Sequence, residues 1–355
     1  MSMMRRLMGG MVFLILIGLF SRAYSEELCR LNGTEYRRMA EYIEIDGEDT
    51  PPIREFINEL KQFPNLRCLL WSHSKLNVKY VSQLMEAFPQ VSFYLTFKWF
   101  NEEYSTDMTY ASISASGMAD SDLRQFLAIM PCIKKLDIFS YNATISKLEK
   151  LFEDYPAISF GCTIPVGARF IRTDATAFST LGSRKTTSFY SEHFDRLKYC
   201  PDLLALDLGH NNIKDVSFLQ YFPHLKVLIL ADNDIADLSD LASYVPELEY
   251  LEIFMNYITD ISPLVSLKHL RHLNITHNRV EDLSPILQMP QLIRCWAAYN
   301  QYPAEQEQQL KDAMPDTQFE FASFLSTGAG WREPSPYYDA IWEMFHTYVY
   351  NPLPE

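Results

Sequence analysis

Between Leu203 and Tyr302 one pattern, L-x-x-L-x-L-x-x-N-x-I, recurs five times. Its units open at Leu203, Leu225, Leu248, Leu270 and Leu292, steps of 22, 23, 22 and 22 residues. Asn211, Asn233, Asn256, Asn278 and Asn300 hold the same place in each. A fixed period this short belongs to a solenoid. One unit is too small to bury its own apolar face, whereas stacked units share a core and each touches only its neighbours. Leu206 and Leu208, Leu228 and Leu230, Leu251 and Ile253, and Leu273 and Ile275 alternate along a short strand and point inward. Such strands pair in parallel with those of the adjacent coil. The following turn leaves backbone groups facing inward, and buried backbone groups must be paired. An Asn side chain carries two donors and an acceptor, so a stacked row of Asn can satisfy that turn in every coil.

A second tag keeps register with the leucines. It reads Asp215-Val216-Ser217-Phe218-Leu219, Asp237-Leu238-Ser239-Asp240-Leu241, Asp260-Ile261-Ser262-Pro263-Leu264 and Asp282-Leu283-Ser284-Pro285-Ile286. Its Asp and Ser are suited to cap a short helical turn on the outer side. With both tags the block resembles the internalin-type leucine-rich repeat, the short variety of about 22 residues. The resemblance implies an α/β solenoid curved into a horseshoe, with a parallel sheet on the concave face, about twelve coils, and a cap at each end. It also implies a protein partner.

The first half repeats at a longer step. Phe63-Pro64-Asn65-Leu66-Arg67-Cys68-Leu69-Leu70 matches Met130-Pro131-Cys132-Ile133-Lys134-Lys135-Leu136-Asp137 at an offset of 67 residues. Phe88-Pro89-Gln90-Val91 matches Tyr155-Pro156-Ala157-Ile158, and Thr106-Asp107-Met108-Thr109 matches Thr173-Asp174-Ala175-Thr176, at the same offset. These read as two super-units of three coils each, without the Asn ladder. Strands are expected near Leu69, Phe93, Thr109, Leu136, Phe160, Thr176, Leu206, Leu228, Leu251, Leu273, Cys295 and Phe319, and helices over Val81–Phe88, Leu123–Ile129 and Leu148–Phe152. The expected divisions are a signal peptide at 1–25, an N-terminal cap at 26–63, irregular repeats at 64–200, regular repeats at 201–302 and a C-terminal cap at 303–355. In the first cap, Ile53, Phe56, Ile57 and Leu60 have helical spacing, while Glu41 to Thr50 reads as a strand end or loop. Gly182 to Ser188 reads as an exposed loop. Pro303 to Met314 reads as a helix and Gln318 to Ala322 as a last strand, and the aromatic-rich tail is expected to pack on the last coil.

Arg5 and Arg6, the apolar run Met8–Phe20 and Ala23-Tyr24-Ser25 have the order of a secretory signal. The run is short for a membrane span, so membrane attachment is expected only if the signal stays uncleaved. Cleavage after Ser25 removes three arginines and no acid, taking the formal charge from −14 to −17. That argues against nucleic acid or an anionic membrane surface as partner. An extracytoplasmic location follows, secreted or at the cell surface. Asn32-Gly33-Thr34, Asn142-Ala143-Thr144 and Asn274-Ile275-Thr276 are glycosylation sequons in a suitable host. The six cysteines, Cys29, Cys68, Cys132, Cys162, Cys200 and Cys295, are widely spaced and lack C-x-x-C, which speaks against zinc. They read as mostly free and buried, with room for one bridge.

No H-E-x-x-H, G-x-S-x-G, P-loop or G-x-G-x-x-G occurs. His193 near Glu192 and Asp195 has no nucleophile or metal named beside it. Asp232, Asp234, Asp237 and Asp240 lack the Gly and final Glu of a calcium loop. No cofactor, metal or catalytic residue is expected. The informative residues lie between the inward ones and point to the other face. There Ile229, Tyr250, Phe254, Met255, Trp296 and Tyr299 should form an exposed apolar and aromatic band, ringed by Asp207, Glu252, His272, Asn274 and Arg294. Aromatics with Arg are what contact hot spots favour, and large exposed apolar patches mark contact. The expected function is non-catalytic recognition of a protein through this concave sheet. Stacking of sugars on Trp296, Tyr250 and Tyr299 is the alternative within binding, and a hydrolase with scattered residues is a more distant one.

Overall fold

The computed structural model describes residues 27–100, 102–114, 117–139, 144–181, 189–332 and 334–354. The signal region, the Gly182–Ser188 loop and the Asn142 sequon lie outside the described residues. Two compact units are present. One holds the residues up to Met108 with Arg124–Cys132, and the other holds Thr109–Leu123 with Ile133–Glu355.

In the first unit, β1 (Leu28–Leu31) and β2 (Thr34–Arg37) form an antiparallel hairpin. Its turn is Asn32-Gly33, both with positive φ, the pair that a tight hairpin turn demands. β3 (Tyr42–Asp46), α1 (Ile53–Leu60), β4 (Cys68–Asn77), α2 (Val78–Ala87) and β5 (Ser92–Trp99) follow. The three strands pair in parallel, with Ile43 beside Leu69 and Leu69 beside Phe93. The segment Glu41–Thr50 thus supplies a full strand. Phe56 and Leu60 of α1 are buried, with the Phe56 ring 5.0 Å from Trp71. Asn77 caps α2 by accepting from the Tyr80 N–H at 3.0 Å. β6 (Glu102–Ser105) folds back antiparallel on β5.

The second unit begins with β7 (Tyr110–Ser114), α3 (Asp120–Ala128), β8 (Lys135–Phe139), α4 (Ile145–Asp154) and β9 (Ser159–Gly161). The C-terminal part of α3 is counted with the first unit. Ala111, Leu136 and Phe160 lie side by side in a three-stranded parallel sheet. β10 (Thr163–Val166) and β11 (Arg169–Arg172) make an antiparallel hairpin. The 67-residue offset predicted from sequence reaches into these pairings. Thr96 pairs Ser105 and Trp99 pairs Glu102 in one hairpin; Thr163 pairs Arg172 and Val166 pairs Arg169 in the other.

The regular coils give a seven-stranded parallel sheet: β12 (Ala177–Ser179), β13 (Ala205–Asp207), β14 (Val227–Ile229), β15 (Tyr250–Glu252), β16 (His272–Asn274), β17 (Arg294–Trp296) and β18 (Gln318–Glu320). Among the described residues the parallel strands therefore fall into three hydrogen-bonded sheets. The eight ladder residues from Leu206 to Ile275 named above are fully buried. Each Asn bridges two coils. Asn233 accepts from the Ile213 N–H at 3.0 Å and donates to the carbonyls of Leu208 and Leu230, both at 3.0 Å. Asn256, Asn278 and Asn300 repeat this geometry. At the first rung Asn211 donates to Thr180 Oγ1 at 2.9 Å instead of a preceding carbonyl.

On the outer side the Asp of each tag accepts from the Ser N–H two residues on, at 2.8–2.9 Å, and also from its hydroxyl. Short 3-10 turns follow at Ser217–Tyr221, Ser262–Ser266 and Ser284–Gln288, and α5 (Leu241–Tyr244) takes that place in the remaining coil. α6 (Glu305–Ala313) precedes β18, and α7 (Pro336–Thr347) lies in the tail. All six cysteines are free thiols. Cys29, Cys162, Cys200 and Cys295 are buried, whereas Cys132 is exposed. Among the described residues no helix is long and apolar enough to cross a membrane.

Candidate functional site

Two columns of side chains face away from the ladder core, each in register across the sheet. The first is Ala177, Ala205, Val227, Tyr250, His272, Arg294 and Gln318. The second is Ser179, Asp207, Ile229, Glu252, Asn274, Trp296 and Glu320. The sequence predicts an exposed band here, and the structure overturns that. Asp207, Ile229, Tyr250, Glu252, Phe254, His272, Asn274, Arg294 and Trp296 are each at most 5% exposed. Only Met255, 44% exposed, and Tyr299, 49% exposed, remain open.

The tail is the cause. It docks on this face instead of only closing the last coil. Ile341, Met344 and Phe345 of α7, at the i, i+3, i+4 spacing that puts them on one helix face, join a buried cluster with Ala177, Ala205, Val227 and Ile229. Small side chains at one end of the first column leave room for a helix. At the large end a loop covers the sheet instead. The Trp331 ring sits 5.3 Å from Tyr250 and 5.1 Å from Trp296. Burying side chains of this size is worth about 2 kcal/mol each before ordering costs. Polar contacts fix the register. Asn274 Nδ2 donates to the Ser326 carbonyl at 2.7 Å, and Trp296 Nε1 to the Gly328 carbonyl at 2.9 Å. Further along, the Tyr350 N–H donates to Thr176 Oγ1 at 2.7 Å and the Ala177 N–H to the Tyr348 carbonyl at 3.2 Å.

Burying this face also buried its charges. Arg294 lies 4.1 Å from the Trp331 ring and 4.5 Å from the Tyr337 ring, a cation held by aromatic faces. Its Nε donates to His272 Nδ1 at 2.9 Å, and Nη1 to the Trp331 carbonyl at 3.1 Å. Burial, with Arg294 and Arg271 nearby, drives the His272 pKa down to about 3, so its ring is neutral. Glu252 accepts from Arg332 at 3.3 Å and from the Tyr250 hydroxyl at 3.1 Å. Asp207 accepts from the Ser179 hydroxyl and the Gly209 N–H, both at 3.2 Å, and burial pushes its pKa up to about 6.

Beside the sealed face runs a rim, the next outward-facing column of the coils, and here Met255 and Tyr299 stay exposed as the sequence predicts. His210, Asp232, Met255, His277 and Tyr299, each just before a ladder Asn, all have φ between 53° and 59°. None is Gly, and each carries a conformational cost of roughly 1–2 kcal/mol that the coil must overcome. The strained backbone turns these side chains outward. His277 stacks on Tyr299 at 4.5 Å, and Phe324 meets Tyr299 edge-on at 5.7 Å. Phe324 is 72% and Leu325 64% exposed. The two inner rings offered for sugar stacking, Trp296 and Tyr250, are sealed, which leaves Tyr299 alone. Of the acidic run, Asp232 meets His210 at 2.8 Å and Asp237 accepts from Ser239.

The family described as Leucine Rich repeats (2 copies) matches residues 201–243 and 246–288. Among solved structures the chain is similar to internalin C2 of Listeria monocytogenes, at 22% identity and TM-score 0.32, over 43% of this chain and 76% of that one. It is similar also to an internalin (inlF) of the same organism, at 17% identity and TM-score 0.33, over 84% and 87%. A leucine-rich-repeat protein of Leptospira interrogans gives 16% identity and TM-score 0.34 over 74% of each chain. A comparison with curated proteins returns no match. The matched residues hold Asn211, Asn233, Asn256 and Asn278 of the ladder, and that stretch of the chain is built of leucine-rich repeats.

Proposed function

We propose that the chain is a non-catalytic, extracytoplasmic recognition domain for a protein partner, and that the partner meets the rim beside the tail-covered face. The observation that carries this reading is the exposed cluster of Met255, Tyr299, Phe324 and Leu325. Exposed apolar side chains gathered in one place mark contact surfaces. The rim adds polar partners in His210, Asp232 and His277, a mixture suited to protein recognition. In this reading the nine sealed candidates, Asp207 through Trp296, form the seat for the tail, and a partner reaches them only when the tail lifts. Met255 and Tyr299 touch the partner directly.

A photo-crosslinking phenylalanine analogue at position 299, compared with the same analogue at exposed Lys268 on another face, tests it. A specific adduct from extracellular material at 299, lost in Met255→Asp and Phe324→Asp, is the expected result. Equal labelling at both positions, or none at 299, overturns the reading.

A further inference from the structure

The second inner column is closed unevenly. The tail bonds directly to Asn274 and Trp296. Beside Ser179, Asp207, Ile229 and Glu252, the last of them bonded to the tail through Arg332, it leaves a cavity of ≈ 260 Å³. Tyr338, Trp342 and Phe345 wall the tail side. The floor brings two carboxylates, Asp207 and Glu252, each at most 2% exposed. One cation answers them: Arg332, bonded to Glu252 at 3.3 Å. Among the described residues no cation lies within ion-pair distance of Asp207, whose oxygens receive only the Ser179 hydroxyl and the Gly209 N–H. The cavity thus carries two carboxylates against one guanidinium, with the imidazole of His346 also in its lining.

We propose that this cavity binds an organic ammonium group, seated on the Asp207 carboxylate between the aromatic rings. The fit follows from three constraints. The excess negative charge selects a cation and rejects an anion. A chelated metal is disfavoured because Asp207 and Glu252 hang from strands two apart in the sheet, a backbone separation of about 10 Å, while calcium takes six to eight oxygens at about 2.4 Å. The volume is below the roughly 300–1,000 Å³ of pockets for drug-sized molecules, which suits one alkylammonium chain. Tyr338, Trp342 and Phe345 line the cavity with aromatic surface, one face of Tyr338 lying under Arg332 and one of Trp342 stacked on His346 at 3.8 Å, and Ile229 and Ile341 offer apolar surface to the stem. The ammonium comes either from a lysine side chain or from a free amine. The inference stands independently of the protein-partner reading, since an amine probes the cavity with no partner present.

Calorimetric titration of the full chain with n-butylammonium chloride tests it, with n-butanol as the neutral match. Saturable binding of butylammonium alone, weakened at least tenfold in Asp207→Asn, is expected. Asn keeps the bond from the Gly209 N–H and can pair with the Ser179 hydroxyl by donating to it, and Trp342→Ala, altering a half-exposed ring, supplies a second loss of binding that does not depend on folding of the first variant. An Nα-acetyl-lysine amide, its side-chain ammonium free, binding tenfold tighter than butylammonium identifies a side-chain source, and binding no tighter than butylammonium identifies a free amine. No saturable binding, butanol binding as well as the amine, or undiminished binding in both variants overturns the proposal.

Discussion

The 22-residue coils and the 67-residue super-units solve the same problem with different side chains. In both, a strand ends in a turn whose inward backbone groups need partners. In the regular coils an Asn amide supplies them, reaching its own coil and the one before. In the super-units a Thr hydroxyl does so from beyond a hairpin. Thr106 Oγ1 donates to the Phe93 carbonyl at 2.6 Å and accepts from the Leu95 N–H at 3.1 Å. Thr173 donates to the Phe160 carbonyl and accepts from the Cys162 N–H at 3.0 Å. Every atom in the second set is 67 residues on from its counterpart. An amide with two donors lets the chain turn at once and keep a short period. A hydroxyl with one donor must be brought back by a hairpin, and the period lengthens.

The largest test of this contrast is Asn256→Ala. It strands the Ile235 N–H and removes donors from the Leu230 and Ile253 carbonyls, costing about 3 kcal/mol in urea unfolding. A loss below about 1 kcal/mol would show that the ladder is not what holds the coils. Thr106→Val and Thr173→Val each remove a single hydroxyl and are expected to cost about 2 kcal/mol. Unequal losses would break the equivalence of the two super-units.

The regions differ in pH response as well, because the regular coils bury titratable groups under the tail. His272, with its pKa depressed to about 3, loses stability as pH falls from about 6.5, since only the unfolded chain takes up the proton. Asp207, raised to about 6, acts oppositely: the folded form holds a proton that the unfolded chain has lost, so stability falls as pH rises from about 4 to 6. The two nearly cancel between those values. Asp207→Asn removes one side, and its unfolding free energy should fall with decreasing pH by about 1.4 kcal/mol per unit. An unchanged profile would contradict the burial of either group. The smallest effect belongs to the outer tag, which the regular coils carry and the super-units lack. Asp260→Ala loses the bonds to Ser262 and should cost about 1 kcal/mol.

What could be read from the sequence was whatever repeats. The ladder, the Asp-x-Ser tag and the 67-residue offset act between neighbouring coils, so their residues recur at fixed intervals. The hairpins were missed because their turns differ. Gly167, with φ of 56°, marks one, while Phe100, with φ of 46°, stands at the matching position of the other. The rim's exposed Met255 and Tyr299 were legible, but its left-handed backbone was not, because non-Gly residues give no sign of one. The sealing of the inner face joins residues from 32 to 174 positions apart and has no period. Its traces were the small column Ala177, Ala205 and Val227, and the spacing of Ile341, Met344 and Phe345.

The order of synthesis gives the tail a further meaning. A ribosome delivers the coils first, and each can stack on its predecessor as it emerges. The segment that shields Trp296, Arg294 and Tyr250 comes only after all of them. Until it arrives, a nascent chain presents bare aromatic rings and unpaired charges to its surroundings. A frameshift or proteolytic nick just beyond Phe321 would leave every coil in place and yet bare these rings and charges, a molecule prone to clumping.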